Sequence, residues 1–260
     1  MPARAIWKGE LQLGKHNVGV KFYSAIEDRS VRFHLLHEKD KSPVEQHIVR
    51  KDTGKDVPKE DMRKAFEVGP NTAVILQPDE LEALVPPESR EIELLRFVPA
   101  TAIGDQWYER PYYLGPDGRA DDYFAFVEAL ARKEMVGVAR WVMRKKRYLG
   151  AISVVDGYLT MTTLRRAEQV VSFSGVEPAR SATPQANELK LAEQLVKSIE
   201  ADFDPQQWQN EYRERLYKLI EAKARGEKIK SAPARKKRAE GSLADSLKAS
   251  LAAAREKKVA

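Results

Sequence analysis

Residues 138–164 read VARWVMRKKRYLGAISVVDGYLTMTTL. Three period-two runs follow one another here: 138–144, 149–155 and 158–164. Residues 145–148, which complete the basic cluster RKKR begun at Arg144, and the pair Asp156-Gly157 separate them. An Asp-Gly pair between alternating runs is a tight hairpin signal, because both central positions of such a turn need positive φ. In a strand from Val138 to Arg144, Ala139, Trp141 and Met143 share one face while Arg140 and Arg144 share the other. The apolar face belongs to a core, so the arginines are expected to be held rigidly on the opposite side.

Moving outward, the same period recurs in IWKGELQLG (6–14), VGVKFYS (18–24), VRFHLLH (31–37), QHIVR (46–50), TAVIL (72–76) and REIELLRFV (90–98). Strands at this spacing, bounded by Gly, Pro, Asn or Asp, predict a barrel or sandwich, a mainly β fold with some α. Two helices interrupt it, PDELEAL at 78–84 and DDYFAFVEALARKE at 121–134, the first opened by a Pro that needs no amide partner. This core is expected to occupy 1–170.

Beyond it the period changes. Over 171–203 a linker, SFSGVEPARSATPQAN, leads into a helical arm whose stripe is Leu189, Ala192, Val196, Ile199 and Phe203. Asp204-Pro205 restarts a helix over 204–226, with Asp as cap, Gln207 completing a capping box and Gly226 closing it. Its apolar stripe is Trp208, Tyr212, Leu216, Leu219 and Ile220, flanked by Arg213 and Arg215. From 227 to 260 the Lys/Ala-rich chain has no aromatic residue and is expected to be a disordered basic tail. It repeats the cluster as Arg235, Lys236, Lys237 and Arg238.

The formal net charge is only +6, but its sign is segregated. Residues 1–64 are basic, 65–139 acidic, 140–166 basic and 221–260 strongly basic, the footprint of a phosphate-binding surface. No cysteine is present, which excludes disulfides and thiolate metal sites and agrees with a reducing cytoplasm. No stretch approaches the roughly 18 apolar residues of a membrane span, and MPARAIWKG lacks the apolar core of a signal peptide.

Enzymatic motifs are missing: there is no Walker-type loop, no G-x-S-x-G elbow and no H-E-x-x-H helix. Glu91 and Glu93 share a strand face but read as surface. His34 and His37, three residues apart on a strand, point to opposite faces and cannot join His47 around a metal without irregular backbone. The reading is therefore a non-enzyme without cofactors. Within 29–64, Val31, Phe33 and Leu35 alternate with Arg32 and His34, followed by the turn EKDKSP, the strand HIVRK and the turn DTGKD. That is a long β-ribbon with too few apolar residues to be covered on both sides.

The stretches ARAIWKGELQLG, VGVKFYSAIEDRSVRFHLLHEKD, DELEALVPPESREIEL, PYYLGPDG and ALARKEMVGVARWVMRKKRYLGAI resemble the bacterial Ku proteins, homodimeric DNA-end-binding factors of non-homologous end joining. FDPQQWQNEYRERLYKLIEAKARG resembles the short segment that follows the core in the same family. The resemblance implies a β-barrel carrying a strand bridge, two copies of which close a ring around duplex DNA. It implies that 29–64 form much of the bridge and that 140–147 lie near the ring's inner surface. The expected DNA contacts are then Arg29, Arg32, Lys39, Lys41, Arg50, Lys51 and Lys55, with Arg140, Arg144, Lys145, Lys146 and Arg147. The tail cluster would add flexible ones. A receptor for ends of arbitrary sequence should contact phosphates, which carry no sequence information. The stripe Leu189, Ala192, Val196 and Ile199 is expected to embrace a second copy. The helix bearing Trp208, Tyr212, Arg213, Arg215, Leu216 and Leu219 is expected to engage the ATP-dependent DNA ligase D. Some members carry a Cys pair near the bridge turn; here Arg50-Lys51-Asp52-Thr53 stands in its place and can hold no zinc. A generic nucleic-acid-binding barrel without end specificity is the rival reading. It would favour exposed aromatic residues on the basic face, whereas Phe33 and Trp141 fall on the apolar side of their strands.

Overall fold

The structure, a computed structural model, describes residues 4–70, 72–172 and 185–227, together with Leu247 and Ser250. Contacts divide the chain into two units, Met1–Ser172 and Phe173–Ala260.

In the first unit seven strands close a barrel: β1 (Trp7–Leu13), β2 (His16–Ser24), β5 (Glu91–Pro99), β6 (Tyr108–Pro116), β7 (Met135–Met143), β8 (Lys146–Val155) and β9 (Tyr158–Leu164). Their order around the wall is β1-β2-β6-β9-β8-β7-β5. Neighbours are antiparallel except β1 and β5, which meet in parallel through Glu10↔Glu91, Leu11↔Ile92 and Gln12↔Glu93. Closure removes the free edges that an open sheet would expose. Alternation fills the interior with Leu11, Val20, Phe22, Ile92, Leu114, Trp141, Ile152, Leu159 and Met161, all essentially inaccessible. A Cβ on Gly150 would fall 2.6 Å from the Trp141 ring and 2.7 Å from the Met161 sulfur. The glycine therefore leaves the indole its place against the β8 backbone.

α2 (Ala120–Lys133) buries Tyr123, Val127 and Leu130, one stripe at helical spacing. The Tyr123 hydroxyl donates to the Leu114 carbonyl at 2.5 Å and accepts from the Leu159 N–H at 2.9 Å. Leu114 and Leu159 face each other across β6 and β9, so the phenol joins the two strands to the helix.

Two strands escape the sequence pattern. In β6, Pro111 reads as a breaker; it lies at an irregularity in the pairing with β9, where the Arg110 N–H donates to the Thr163 hydroxyl at 3.0 Å. β3 (Lys64–Gly69) pairs with β4 (Thr72–Leu76) in a separate two-stranded sheet, and only Phe66 and Val68 mark its period. α1 (Pro78–Ala83) starts as expected, with the Glu80 carboxylate accepting from the Gln77 N–H at 2.7 Å.

The ribbon differs from expectation. Residues 31–37 and 46–50 form no regular strands; their pairing reduces to the isolated bridges Leu36↔Pro43 and Val49↔Asp56. Two turns hold it, closed by His37 N–H to the Ser42 carbonyl at 2.9 Å and Arg50 N–H to the Lys55 carbonyl at 2.8 Å. Pro43 offers no donor at the first bridge, and a two-stranded ribbon is marginal on its own; β3 and β4, just as exposed, keep a regular ladder. From Tyr23 to Glu91 no described residue is buried.

In the second unit, α3 (Ala186–Ile199) and α4 (Glu211–Ala224) are the described α-helices. α3 stops at Ile199, so Phe203 lies beyond the stripe predicted to include it. The predicted helix from Pro205 is broken. Asp204 caps a single 3-10 turn, Pro205–Gln207, and Gln207 bonds the Asp204 side chain at 3.2 Å. α4 then begins anew, because the Asn210 side chain accepts from the Arg213 N–H at 3.1 Å and acts as its own cap. Trp208 falls between the two pieces. Gly226, at φ +78, closes α4 as expected. The linker residues 173–184 and the cluster Arg235, Lys236, Lys237 and Arg238 lie outside the described residues.

Candidate nucleic-acid interface

β7 ends at Met143, which pairs with Lys146. Arg144 (φ 50°) and Lys145 (φ 63°) are thus the two central residues of a hairpin turn. This corrects the sequence reading: Arg144 is not on a strand face beside Arg140. The same left-handed geometry recurs at Asp156 (φ 50°) and Gly157 (φ 78°). There the residues announce the turn; at Arg144-Lys145 neither residue favours positive φ, so the turn carried no signal.

Trp141 and Met143 point inward and Arg140 outward, as the alternation required. Arg140 is paired across the sheet with Glu93, at 2.6 and 3.1 Å, and both side chains are about half exposed. Lys145 lies 3.8 Å from Glu82. Lys146 and Arg147 begin β8, exposed, and the Arg147 carbonyl accepts from Arg166 at 3.2 Å.

Along the ribbon, carboxylates organise the turns while the cations face solvent. Asp40 accepts from the Ser42 N–H, His37 and the Ser42 hydroxyl, which hold its carboxyl below the usual aspartate range. Asp52 is lowered chiefly by the Arg50 guanidinium, bound at 2.7 and 3.0 Å. Arg29 meets Glu27 at 2.9 Å, and Lys41 donates to the Glu38 carbonyl. Arg32, Lys39, Lys51 and Lys55 have no ion-pair partner among the described residues. Exposed pairs of this kind hold weakly and exchange readily for other anions. His37 is bound to Asp40, whereas His47 lies between Glu45 and Asp56 at 3.6 and 3.4 Å. Among the described residues no three such groups converge on a metal-sized site. Phe33 is not covered: it is 65% exposed, as Leu35, Ile48, Phe66 and Ile75 are to a similar degree. Trp141 instead stacks inside the barrel on Tyr148, with ring centroids 5.4 Å apart.

Sequence reasoning missed Lys8, Lys21 and Arg90. Asp117 binds Lys8 at 3.0 Å and Lys21 at 2.8 Å; these bonds lower its carboxyl and raise the Lys21 amine. Lys8 and Arg90 line a cleft with Arg144 and Lys145. Residues so far apart in sequence meet only through the β1–β5 closure, which no local pattern announces.

On α3, Leu189, Val196 and Ile199 are exposed and Ala192 is half-buried. The less accessible stripe runs instead through Leu191 and Leu195. On and before α4, Trp208 and Tyr212 are exposed, Leu216 and Leu219 half-buried. Arg213 stacks over Tyr217, and Arg215 pairs with Glu211 at 2.8 Å.

The sequence profile of the Ku70/Ku80 beta-barrel domain matches residues 12–191, which include six of the seven barrel strands whole and the last two residues of β1. The chain belongs to the Ku family. The chain is 38% identical over 256 residues to "Non-homologous end joining protein Ku" of Anaeromyxobacter sp. (strain K), covering 97% of this chain and 86% of that one. It is 37% identical over 229 residues to "Non-homologous end joining protein Ku 2" of Geotalea uraniireducens (strain Rf4), covering 88% and 89%. For "Non-homologous end joining protein Ku" of Mycobacterium tuberculosis (strain ATCC 25618 / H37Rv) the identity is 33% over 230 residues, 86% and 84% of the two chains. The closed barrel of this Ku-family chain is the fold that the resemblance implied.

Proposed function

We propose that this Ku-family chain binds the ends of double-stranded DNA without regard to sequence, as a ring of two copies, and brings an ATP-dependent DNA ligase, ligase D, to the end. The relatives are named for non-homologous end joining, and the same repair role follows for this chain, carried out in the cytoplasm at the nucleoid. The observation that carries the reading is the segment from Tyr23 to Glu91, in which cations and apolar side chains are alike uncovered. Its phosphate-directed cations suit a ligand of arbitrary sequence. Its exposed Phe33, Leu35, Phe66 and Ile75 suit a second copy, which would complete a ring that one polar ribbon cannot close. The DNA contacts are Arg32, Lys39, Lys51 and Lys55, which are free of ion pairs among the described residues, together with the turn cluster Arg144 to Arg147. No catalytic group is needed. Competition between linear and covalently closed circular duplex tests the proposal: only the linear form should compete, and equal competition by the circle overturns threading.

A further inference from the structure

The turn that carries Arg144 and Lys145 also forms one wall of a cleft of about 530 Å³, whose other walls are the start of β1 and the segment entering β5. Lys8, Ser89 and Arg90 line it together with the turn, Trp7 and Val142 provide its apolar lining, and Glu88 lies on its wall. The wall is tightly built: the Glu10 N–H donates to the Arg90 carbonyl at 2.8 Å. Lys8 already answers Asp117, and Lys145 answers Glu82. Arg90 and Arg144 have no ion-pair partner among the described residues. The Ser89 hydroxyl accepts from the Glu91 N–H at 3.0 Å, which leaves its own proton to donate. Two guanidiniums and a hydroxyl facing one concavity form a donor set for a tetrahedral oxyanion. The turn bears these cations at a conformational cost that Asn-Gly would avoid, and strain of this kind gathers at sites of function.

We infer that this cleft seats one backbone phosphate of the bound duplex between Arg90 and Arg144, with Ser89 donating to it. The inference rests on the DNA-binding reading and adds Arg90 to its contacts. A terminal phosphate and a free nucleotide share the chemistry but not the consequences.

The test titrates the full chain, by fluorescence anisotropy over a range of salt, with duplexes bearing either 5′-phosphate or 5′-hydroxyl ends. Arg90→Gln should weaken both duplexes about tenfold and reduce the log–log salt slope by about 0.9, one phosphate. Arg144→Gln should do the same, and the double variant should lose little more than either alone, because both hold the same phosphate. Arg90→Lys should restore most of the slope. Replacing Arg144-Lys145 by Asn-Gly should raise the melting temperature while lowering affinity, which separates contact loss from misfolding. An unchanged slope in Arg90→Gln overturns the seat. A loss confined to 5′-phosphorylated duplex, or a wild-type slope restored by saturating nucleoside monophosphate, overturns the backbone assignment. If wild type bound closed circles as well as linear duplex, end selection would fail while the slope change of Arg90→Gln still judged the cleft.

Discussion

At Tyr123 one hydroxyl serves a carbonyl of β6 and an N–H of β9. Tyr123→Phe keeps the ring and its packing but leaves both backbone groups buried and unanswered, at a cost of about 1–3 kcal/mol. The urea midpoint should fall with an unchanged slope, since the surface exposed on unfolding is unaltered. Asp117 gives a pH signature instead. Its carboxyl is lowered by hydrogen bonds from Lys21 and then Lys8, so its stabilisation is fully present above the ordinary aspartate value of 3.8. It is lost as pH falls through the lower value of the folded state. Wild type should therefore be more stable than Asp117→Asn at neutral pH by an amount that shrinks in acid as the carboxyl protonates, and again in strong alkali as the raised Lys21 amine loses its proton, read from parallel denaturation series. An equal difference at all pH values would mean that the ion pairs are not its source.

Among the elements, legibility followed local chemistry. Strands β1, β2, β4, β5, β7, β8 and β9 alternate clearly and were found. β6 was hidden because Pro111 occupies an irregularity that only the partner strand explains. The Arg144-Lys145 turn was hidden because its conformation is imposed by the β7–β8 pairing on residues that do not seek it. The ribbon was over-read: alternation alone does not make a strand, and here Pro43 gives no donor and only isolated bridges form. Likewise Asn210 restarts α4 and leaves Trp208 off the helix that carries Tyr212, both exposed. An exposed aromatic pair supports little of the fold, so Trp208→Ala with Tyr212→Ala should alter stability by no more than about 1 kcal/mol. Stimulation of the cognate ligase should fall sharply while end binding persists. Ligation stimulated at full strength, or deletion of 204–226 without effect, would remove this element from the docking role.

At the scale of the whole molecule, the electrostatic reading came from charge segregation and the barrel from periodicity. The cleft, which needs β1, β5 and the β7–β8 turn together, came from neither. The pairing of two copies is expected to give a dimeric mass by light scattering at micromolar concentration; a monomeric mass would refute it. No described residue from Tyr23 to Glu91, the stretch that contains the ribbon, is buried, and that turns abundance into a structural variable. If its only cover is a second copy, the melting temperature should climb with the logarithm of chain concentration, as mass action requires. A barrel that held its own melting point at every dilution would show that the ribbon needs no company. Where the rise holds, a sparse population of chains would carry bare, aggregation-prone ribbons, and a crowded one finished clamps. Capacity for repair would then switch on with dosage, not in proportion to it.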